Sequence, residues 1–555
     1  MARAAEVLVE SLKAQGADRL FCVPGESYLA LLDALAGQSA IEVVTCRHEG
    51  GAGFMALADA KITGRPGLLA VSRGPGAANA AIAVHSAQQD AVPLVVLIGQ
   101  VARGDRGRGA FQEVDYAKTF SDMAKAVWEV HDAARLSETL AQAYHAALSG
   151  TPGAAVIALP EDMLSDELGD EIDEEPVPPL PLTRSASGEA DLERTLALLS
   201  QAERPVLIAG GMLSDAGGRR ALARAAEAHH LPVVLAFKHQ EIFDNASPLF
   251  AGYLGFKIPK PQVEAMAEAD LVLAVGTRLG DVPTQGYSFP KAPEPAQPLV
   301  HVYPDPAVLG AVYRTDLGLA CEPAAVLEAL AVRNAEIGPA RRAWAEALHA
   351  RAAAMADYTP QPQADGVDFG AVALALARQA PGDAITVFDA GNFSSWVHRV
   401  WPWDGTQTSI GAVGGAMGLG VPGAVAACLR HPGRTVLSFV GDGGLLMTGN
   451  ELATAMAKGA APKIFVSNNR SYGTIRLHQE RDYPRRVVAT ELVNPDFAAW
   501  ARAFGATGLT VAQPEAAEDA VAEALACEGP VVVDVLSSLE AISAYTTLTK
   551  LRGEG

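Results

Sequence analysis

Apolar residues fall in short continuous runs along this chain, each closed by glycine, proline or a polar turn. The runs at 19–23, 41–45, 68–71, 93–100, 154–159, 205–209, 271–275, 385–388, 436–440 and 464–466 have the length and β-branched content of buried strands. Mixed stretches at 4–15, 28–35, 50–61 and 445–458 read as helices, as does the Ala- and Arg-rich part of 339–363. Strands alternating with helices predict α/β architecture: doubly wound parallel sheets that bind ligands beyond the carboxyl ends of their strands. Two strand–turn–helix–strand frames echo each other. Gly76 precedes Pro93 by 17 positions in one, and Gly443 precedes Pro462 by 19 in the other, so an internal repeat is expected.

The chain has 555 residues, enough for three or four domains, and 49% of them are hydrophobic. A net charge of −21 argues against nucleic-acid and anionic-membrane partners. The cysteines (22, 46, 321, 428, 527) are odd in number and scattered, which fits a reducing compartment better than a disulfide framework. MARAAEVLVESLKAQG reads as an amphipathic helix rather than a signal peptide, and no apolar run is long enough to span a bilayer. A cytoplasmic protein is expected.

Candidate chemistry gathers at the carboxyl ends of strands 436–440 and 464–466. Asp442 offers a carboxylate, Asn469 an amide oxygen, and the turn near Ser471 a backbone carbonyl. These are hard oxygen donors, too few for a full cage, as in Mg²⁺ sites completed by phosphate and water. Gly443 and Gly444 would admit a diphosphate, with N–H groups of the following helix facing it. Gly-Asp-Gly by itself is also an ordinary turn. The gap of 24 residues between Gly443 and Asn468, on a strand–helix–strand frame, favours the metal reading.

Gly-Asp-Gly, this gap and Asn-Asn together resemble the diphosphate–Mg²⁺ motif of thiamine diphosphate enzymes. The resemblance implies Gly441, Asp442, Gly443, Gly444, Asn469, Ser471, Tyr472 and Gly473 on the cofactor, with Asp442, Asn469 and Ser471 on the metal. Arg47-His48-Glu49 and the Gly-Ala-Gly-Phe-Met-Ala run after it are similar to the segment carrying the activating glutamate in the acetolactate synthase branch. Glu49 would then hydrogen-bond N1′ of the aminopyrimidine and favour the imino tautomer that removes the C2 proton. Without the resemblance, Glu49 reads as a helix-start carboxylate facing the dipole.

Pro24 and Gly25 are carried over to the cofactor side, as are Gly391, Asn392 and Phe393 to the diphosphate. Gly415 and Met417 resemble the pyrimidine clamp; outside that setting Met417 would be core filler. Gly109-Ala110-Phe111-Gln112-Glu113 resembles the Ala-Phe-Gln-Glu loop, which implies Phe111 and Gln112 beside substrate and thiazolium, Gln112 with a catalytic part. Ser27, Thr474, Arg476 and His478 are expected at the substrate mouth, although Arg476 and His478 read equally well as surface residues.

Several positions depart from biosynthetic acetohydroxyacid synthases. Glu26 and Ser27 follow Pro24-Gly25 where those enzymes have glycine. His478 replaces the tryptophan that favours 2-oxobutyrate. Ser72-Arg73 stands where several decarboxylases place a histidine, and the His229-His230 pair lies in the middle domain.

The resemblance implies a pyrimidine-binding domain at 1–165, an acidic and proline-rich linker at 166–188, a middle domain at 189–338, a linker at 339–366 and a diphosphate-binding domain at 367–555. In the run 161–175, nine of fifteen residues are acidic, which predicts solvated chain. The implied activity is thiamine diphosphate- and Mg²⁺-dependent decarboxylation of a pyruvate-like 2-oxo acid, with carboligation of the enamine to a second carbonyl. The enzyme would be both lyase and transferase, a homodimer or homotetramer with sites shared between subunits. A 2-oxo-acid decarboxylase or 2-hydroxyacyl lyase is the rival, and a non-catalytic cofactor-binding homologue is the reading of another class. FAD in the middle domain is disfavoured, because Arg278 lacks the second arginine that follows it in the flavin-holding synthases.

Overall fold

The computed structural model describes residues 2–169, 175–256, 258–333 and 336–554. Its strands form three six-stranded sheets. The first holds β1 (Arg19–Cys22), β2 (Glu42–Thr45), β3 (Gly67–Val71), β4 (Leu94–Gln100), β5 (Ala126–Glu129) and β6 (Ala154–Pro160). The second holds β7 (Pro205–Ala209), β8 (Val233–Ala236), β9 (Phe250–Leu254), β10 (Leu271–Val275), β11 (Leu299–Val302) and β12 (Leu317–Leu319). The third holds β13 (Ile385–Phe388), β14 (Thr408–Gly411), β15 (Val436–Gly441), β16 (Lys463–Asn468), β17 (Thr507–Val511) and β18 (Val531–Leu536).

Neighbouring strands run parallel in all three sheets. Every residue of β4, β6, β7 and β10 is buried, because helices cover both faces. That is why these strands read as unbroken apolar runs rather than alternating ones. The first sheet has the order β2-β1-β3-β4-β6-β5 and the third β14-β13-β15-β16-β18-β17. Counted within their own domains these are the same order, so the expected repeat extends to whole sheets. The middle sheet, β12-β11-β10-β7-β8-β9, is wound differently.

The first and third sheets share one core. Phe54, Met55 and Ala58, on the helix Glu49–Thr63, pack with Leu419, Val421 and Ala424 at the helix Gly420–Arg430. Arg430 pins the same contact, with Nε 2.5 Å from Asp59 and Nη2 2.6 Å from Asp18.

Three sequence expectations change in detail. The helix expected at 445–458 begins earlier, at Asp442, and is interrupted: Asp442–Thr448 and Leu452–Lys458 flank a 3₁₀ turn. The break falls where Thr448 leaves helical geometry and its hydroxyl donates to Gly418 O at 2.6 Å. The helix Pro339–Ala356 packs on the middle sheet, where buried Arg341 donates to His229 O at 3.1 Å and Trp344 to Pro205 O at 2.9 Å. The start of the acidic run is ion-paired rather than free. Glu161 takes Arg73, and Asp162 and Asp166 take Arg103. Residues 170–174 of that run lie outside the described residues.

Candidate functional site

β15 and β16 are adjacent in register, Gly441 beside Ser467, so the chain emerges from both at one edge of the sheet. Asp442 opens the helix there, 2% exposed. Its Oδ1 accepts the Gly443 N–H at 2.9 Å and its Oδ2 the Asn494 amide at 2.8 Å. Burial pushes the Asp442 carboxyl up to about 6, against the pull of Gly443, Asn494 and the backbone N–H groups of Arg470 and Ser471. Asn469 is half-buried and turns its Oδ1 to the Ser471 N–H at 3.1 Å. Asp442, Asn469 and the Ser471 turn thus lie together. Asn468 points inward instead, its Nδ2 on Asp534 Oδ1 at 2.9 Å.

The glycines of this edge are required by close packing. A Cβ on Gly443 would stand 2.5 Å from the Tyr472 ring, and one on Gly444 would stand 2.9 Å from Asp389. Opposite them is the turn after β13. Asn392 accepts the Thr474 hydroxyl at 3.1 Å, while its Nδ2 is buried without a partner. A buried amide donor without an acceptor is costly unless an anion meets it, and a diphosphate is such an anion. Among the described residues, no three His, Cys, Asp or Glu side chains are grouped around a cation position. One carboxylate with amide and carbonyl oxygens fits a divalent ion that keeps water and phosphate ligands. The residues present therefore fit thiamine diphosphate and Mg²⁺.

Glu49 is the first residue of its helix, after β2. The His48 ring accepts Gly50 N–H at 3.0 Å, and Glu49 Oε2 accepts the Asn79 amide at 3.0 Å. Gly76 lies beside it, where a Cβ would be 3.4 Å from Glu49 Oε1. Behind it, Glu451 of the third domain accepts the backbone N–H groups of Arg47 and His48.

The loop 411–418 is held by its backbone from all three domains. Lys61 donates to Gly411 O at 2.5 Å, Lys238 of the middle domain to Ala412 O at 2.9 Å, and Gly414 N–H to Asp90 at 2.8 Å. Burial lowers the Lys238 ammonium to about 8, with Asp90 and Asp389 opposing. Gly415 and Gly418 have φ of 73° and 100°, which favour glycine. Gly418 N–H donates to buried Asp389 at 2.8 Å. Met417 is half-buried between these points.

Pro24 is exposed and Gly25 half-buried after β1. A Cβ on Gly25 would be 2.5 Å from that of Ser72. Ser27 is buried and shares a hydrogen bond with the Ser72 hydroxyl at 3.1 Å. Arg73, next to it, is clasped by Glu26 and Glu161, each at 2.7 Å. Phe111 is 72% exposed, and Gln112 sits at φ 62° with its carbonyl over Gly74. Gly391 and Gly441 both lie against the Phe393 ring, and Gly473 lies against the Asn469 amide. Arg476 uses its Nε on buried Glu480 at 3.0 Å, which also takes Arg552. His478 meets Arg481 at 2.9 Å and the Phe256 ring edge-on at 5.9 Å.

Sequence reading missed Asn494, Asp389, Glu451, Asn79 and Lys238. Each acts through hydrogen bonds to residues distant in sequence, and none belongs to a periodic or spaced motif.

Three families match successive parts of the chain. Residues 2–119 match "Thiamine pyrophosphate enzyme, N-terminal TPP binding domain", 192–330 the central domain, and 389–535 the C-terminal TPP binding domain. The chain is 33% identical to the acetolactate synthase large subunit of Parasynechococcus marenigrum, over 96% of this chain and 87% of that protein. It is 30% identical to the acetolactate synthase large subunit of Lactococcus lactis, over 96% and 92%. At 30%, over 96% and 91%, it is also similar to a putative thiamine pyrophosphate-containing protein of Bacillus subtilis.

Proposed function

Because this chain belongs to the acetolactate synthase family of thiamine diphosphate enzymes, we propose that it decarboxylates a pyruvate-like 2-oxo acid and joins the remaining fragment to a second carbonyl compound. The observation that carries this reading is the convergence of Asp442, Asn469 and the Ser471 turn beside an unpartnered Asn392 donor.

Bound thiamine diphosphate supplies the carbanion chemistry that lets a 2-oxo acid lose CO₂. Asp442, Asn469 and the Ser471 carbonyl would hold Mg²⁺, and the unpartnered Asn392 amide would donate to the diphosphate. Gly415 and Met417 would seat the pyrimidine, and Glu49 would hold a proton at its N1′. Phe111, Gln112, Thr474, Arg476 and His478 would border the substrate, whereas Ser27, expected there too, is fully buried and braces Ser72 and Arg73 instead. FAD is not favoured in the middle domain, where no second arginine soon follows Arg278. The Arg278 guanidinium donates to the carbonyls of Gln88 and Gln89, and the His239 ring covers Gly211, 2.7 Å from where a Cβ would stand.

The active unit is at least a homodimer. Glu49 is held by Asn79 and Gly414 by Asp90, eleven residues apart on the helix Pro75–Asp90, about 16 Å along its axis. The anchor of Glu49 and the anchor of Gly414, where the clamp begins, are therefore set well apart on that helix, which supports a site completed by the glutamate of a second chain. Five free cysteines support a cytoplasmic setting. Among the described residues, no helix is long and apolar enough to cross a membrane.

The test is product analysis with pyruvate, thiamine diphosphate and Mg²⁺. Acetolactate is the expected product. Aldehyde alone would replace this reading with a simple decarboxylase, and absence of CO₂ release from a broad 2-oxo-acid panel would replace it with a non-catalytic homologue.

A further inference from the structure

Asn494 lies outside the Gly-Asp-Gly and Asn-Asn segments, yet it joins them. Its Nδ2 donates to Asp442 Oδ2 at 2.8 Å and to Asn468 Oδ1 at 2.9 Å. Chemistry fixes this orientation. An ionised carboxylate only accepts, so the amino end of Asn494 must face Asp442. Asn468 donates its own Nδ2 to Asp534 Oδ1, which turns its Oδ1 toward Asn494. Asp534, buried on β18, also accepts the Phe497 N–H at 3.4 Å. One relay, Asp534–Asn468–Asn494–Asp442, therefore ties β18 and β16 to the residue that opens the helix after β15.

Neither end of the Asn494 segment explains this arrangement as local packing. The helix Phe497–Ala503 is capped by Asp496, whose side chain accepts the Ala499 N–H at 2.8 Å. Val493, the preceding residue, is 102% exposed and anchors nothing. The Asn494 Oδ1 is buried without a partner. The residue is thus held there by its two donated hydrogen bonds, at the cost of an unsatisfied acceptor.

We propose that Asn494 is a positioning residue for the cation site: it fixes the rotation of the Asp442 carboxylate so that its free lone pairs face Asn469 and the Ser471 turn. This rests on the assignment of Asp442, Asn469 and Ser471 to Mg²⁺. Mg²⁺ demands near-ideal octahedral geometry, whereas Ca²⁺ accepts irregular shells. A carboxylate free to rotate should therefore lose Mg²⁺ more than Ca²⁺, and loss of such an outer partner typically costs about 10–100-fold in metal affinity.

The experiment titrates Mg²⁺ and Ca²⁺ by calorimetry into the full-length protein with saturating thiamine diphosphate, for wild type, Asn494→Leu, Asn494→Ser and Asp442→Ala. Leucine keeps the branched skeleton and removes both donors; serine keeps one. Asn494→Leu is expected to weaken Mg²⁺ about 10–100-fold and Ca²⁺ distinctly less, with Asn494→Ser between it and wild type. Unchanged Mg²⁺ affinity in both Asn494 variants, or equal losses for both cations together with a lowered cofactor-free midpoint, overturns the proposal. Should the leucine variant not fold, the serine variant decides by the same Mg²⁺-to-Ca²⁺ comparison. If Asp442→Ala itself leaves Mg²⁺ affinity intact, the metal assignment fails and the proposal with it. An Asn494 failure alone leaves that assignment standing.

Discussion

Glu451 and His48 meet across two domains: Glu451 Oε1 accepts the His48 backbone N–H at 3.0 Å, one residue before Glu49. The same carboxylate takes the Arg47 N–H at 2.9 Å and the Thr454 hydroxyl at 2.6 Å, and it is fully buried. Burial pushes its carboxyl up, and the Thr454, Arg47 and His48 donors pull it back. Gly51 is the reason it fits, since a Cβ there would stand 2.5 Å from Glu451 Oε1.

Removing this acceptor leaves buried donors unmatched. Glu451→Ala is expected to destabilise the protein by about 1–3 kcal/mol and to lower turnover by loosening the start of the Glu49 helix. Glu451→Gln keeps an acceptor and should lose less. Chemical denaturation checks this; an unchanged midpoint for the alanine variant would show that the contact carries no stability.

Glu49→Gln removes the exchangeable acid but not the diphosphate anchor at Asp442 and Asn392. Cofactor affinity should stay within a few-fold of wild type, while hydrogen–deuterium exchange at the cofactor C2 slows about 10²–10⁴-fold. Exchange followed by NMR after acid quench reads this directly, and a wild-type rate would remove Glu49 from the proton path.

The shared-site proposal makes a prediction that neither single variant tests. Glu49→Gln and Asp442→Ala homodimers should each be nearly inactive. A hybrid dimer concentrates both defects in one site and leaves the other with an intact Glu49 and an intact Asp442 from different chains. Isolated hybrids should regain up to one of two sites per dimer. Hybrids that are folded, dimeric and as inactive as their parents would place each site within one chain.

The Arg430 clasp between domains should govern acid stability. The Arg430 hydrogen bond, followed by that from Arg65, holds the Asp18 carboxyl well below the usual aspartate range despite partial burial. A depressed folded value means the stabilisation is complete above the ordinary aspartate value of about 3.9 and is lost as pH falls through the folded one. Arg430→Met should cost about 1–3 kcal/mol at neutral pH. Its deficit against wild type should shrink as pH drops below about 4. Urea midpoints measured across pH test this; a constant deficit down to the lowest pH would contradict it.

The local structure of this protein was legible in the chain. Continuous apolar runs such as Leu94–Gln100 announced strands covered on both faces, because a buried strand has no solvent side on which to place polar residues. Gly441–Gly444 and Asn468-Asn469 announced a polar turn cluster, because strand ends and glycine turns put backbone and short polar side chains at one sheet edge. The near-equal spacing of the two frames announced the repeat that the sheet orders display. Tertiary structure alone decided what braces those residues. Glu451 reaches His48 from 403 positions away, Asp90 reaches Gly414 from 324, and Asn494 reaches Asp442 from 52. A single carboxylate or amide in a helix or loop carries no period and no fixed spacing to its partner. Its role appears only when folding removes water from both groups and leaves each as the other's hydrogen-bond partner.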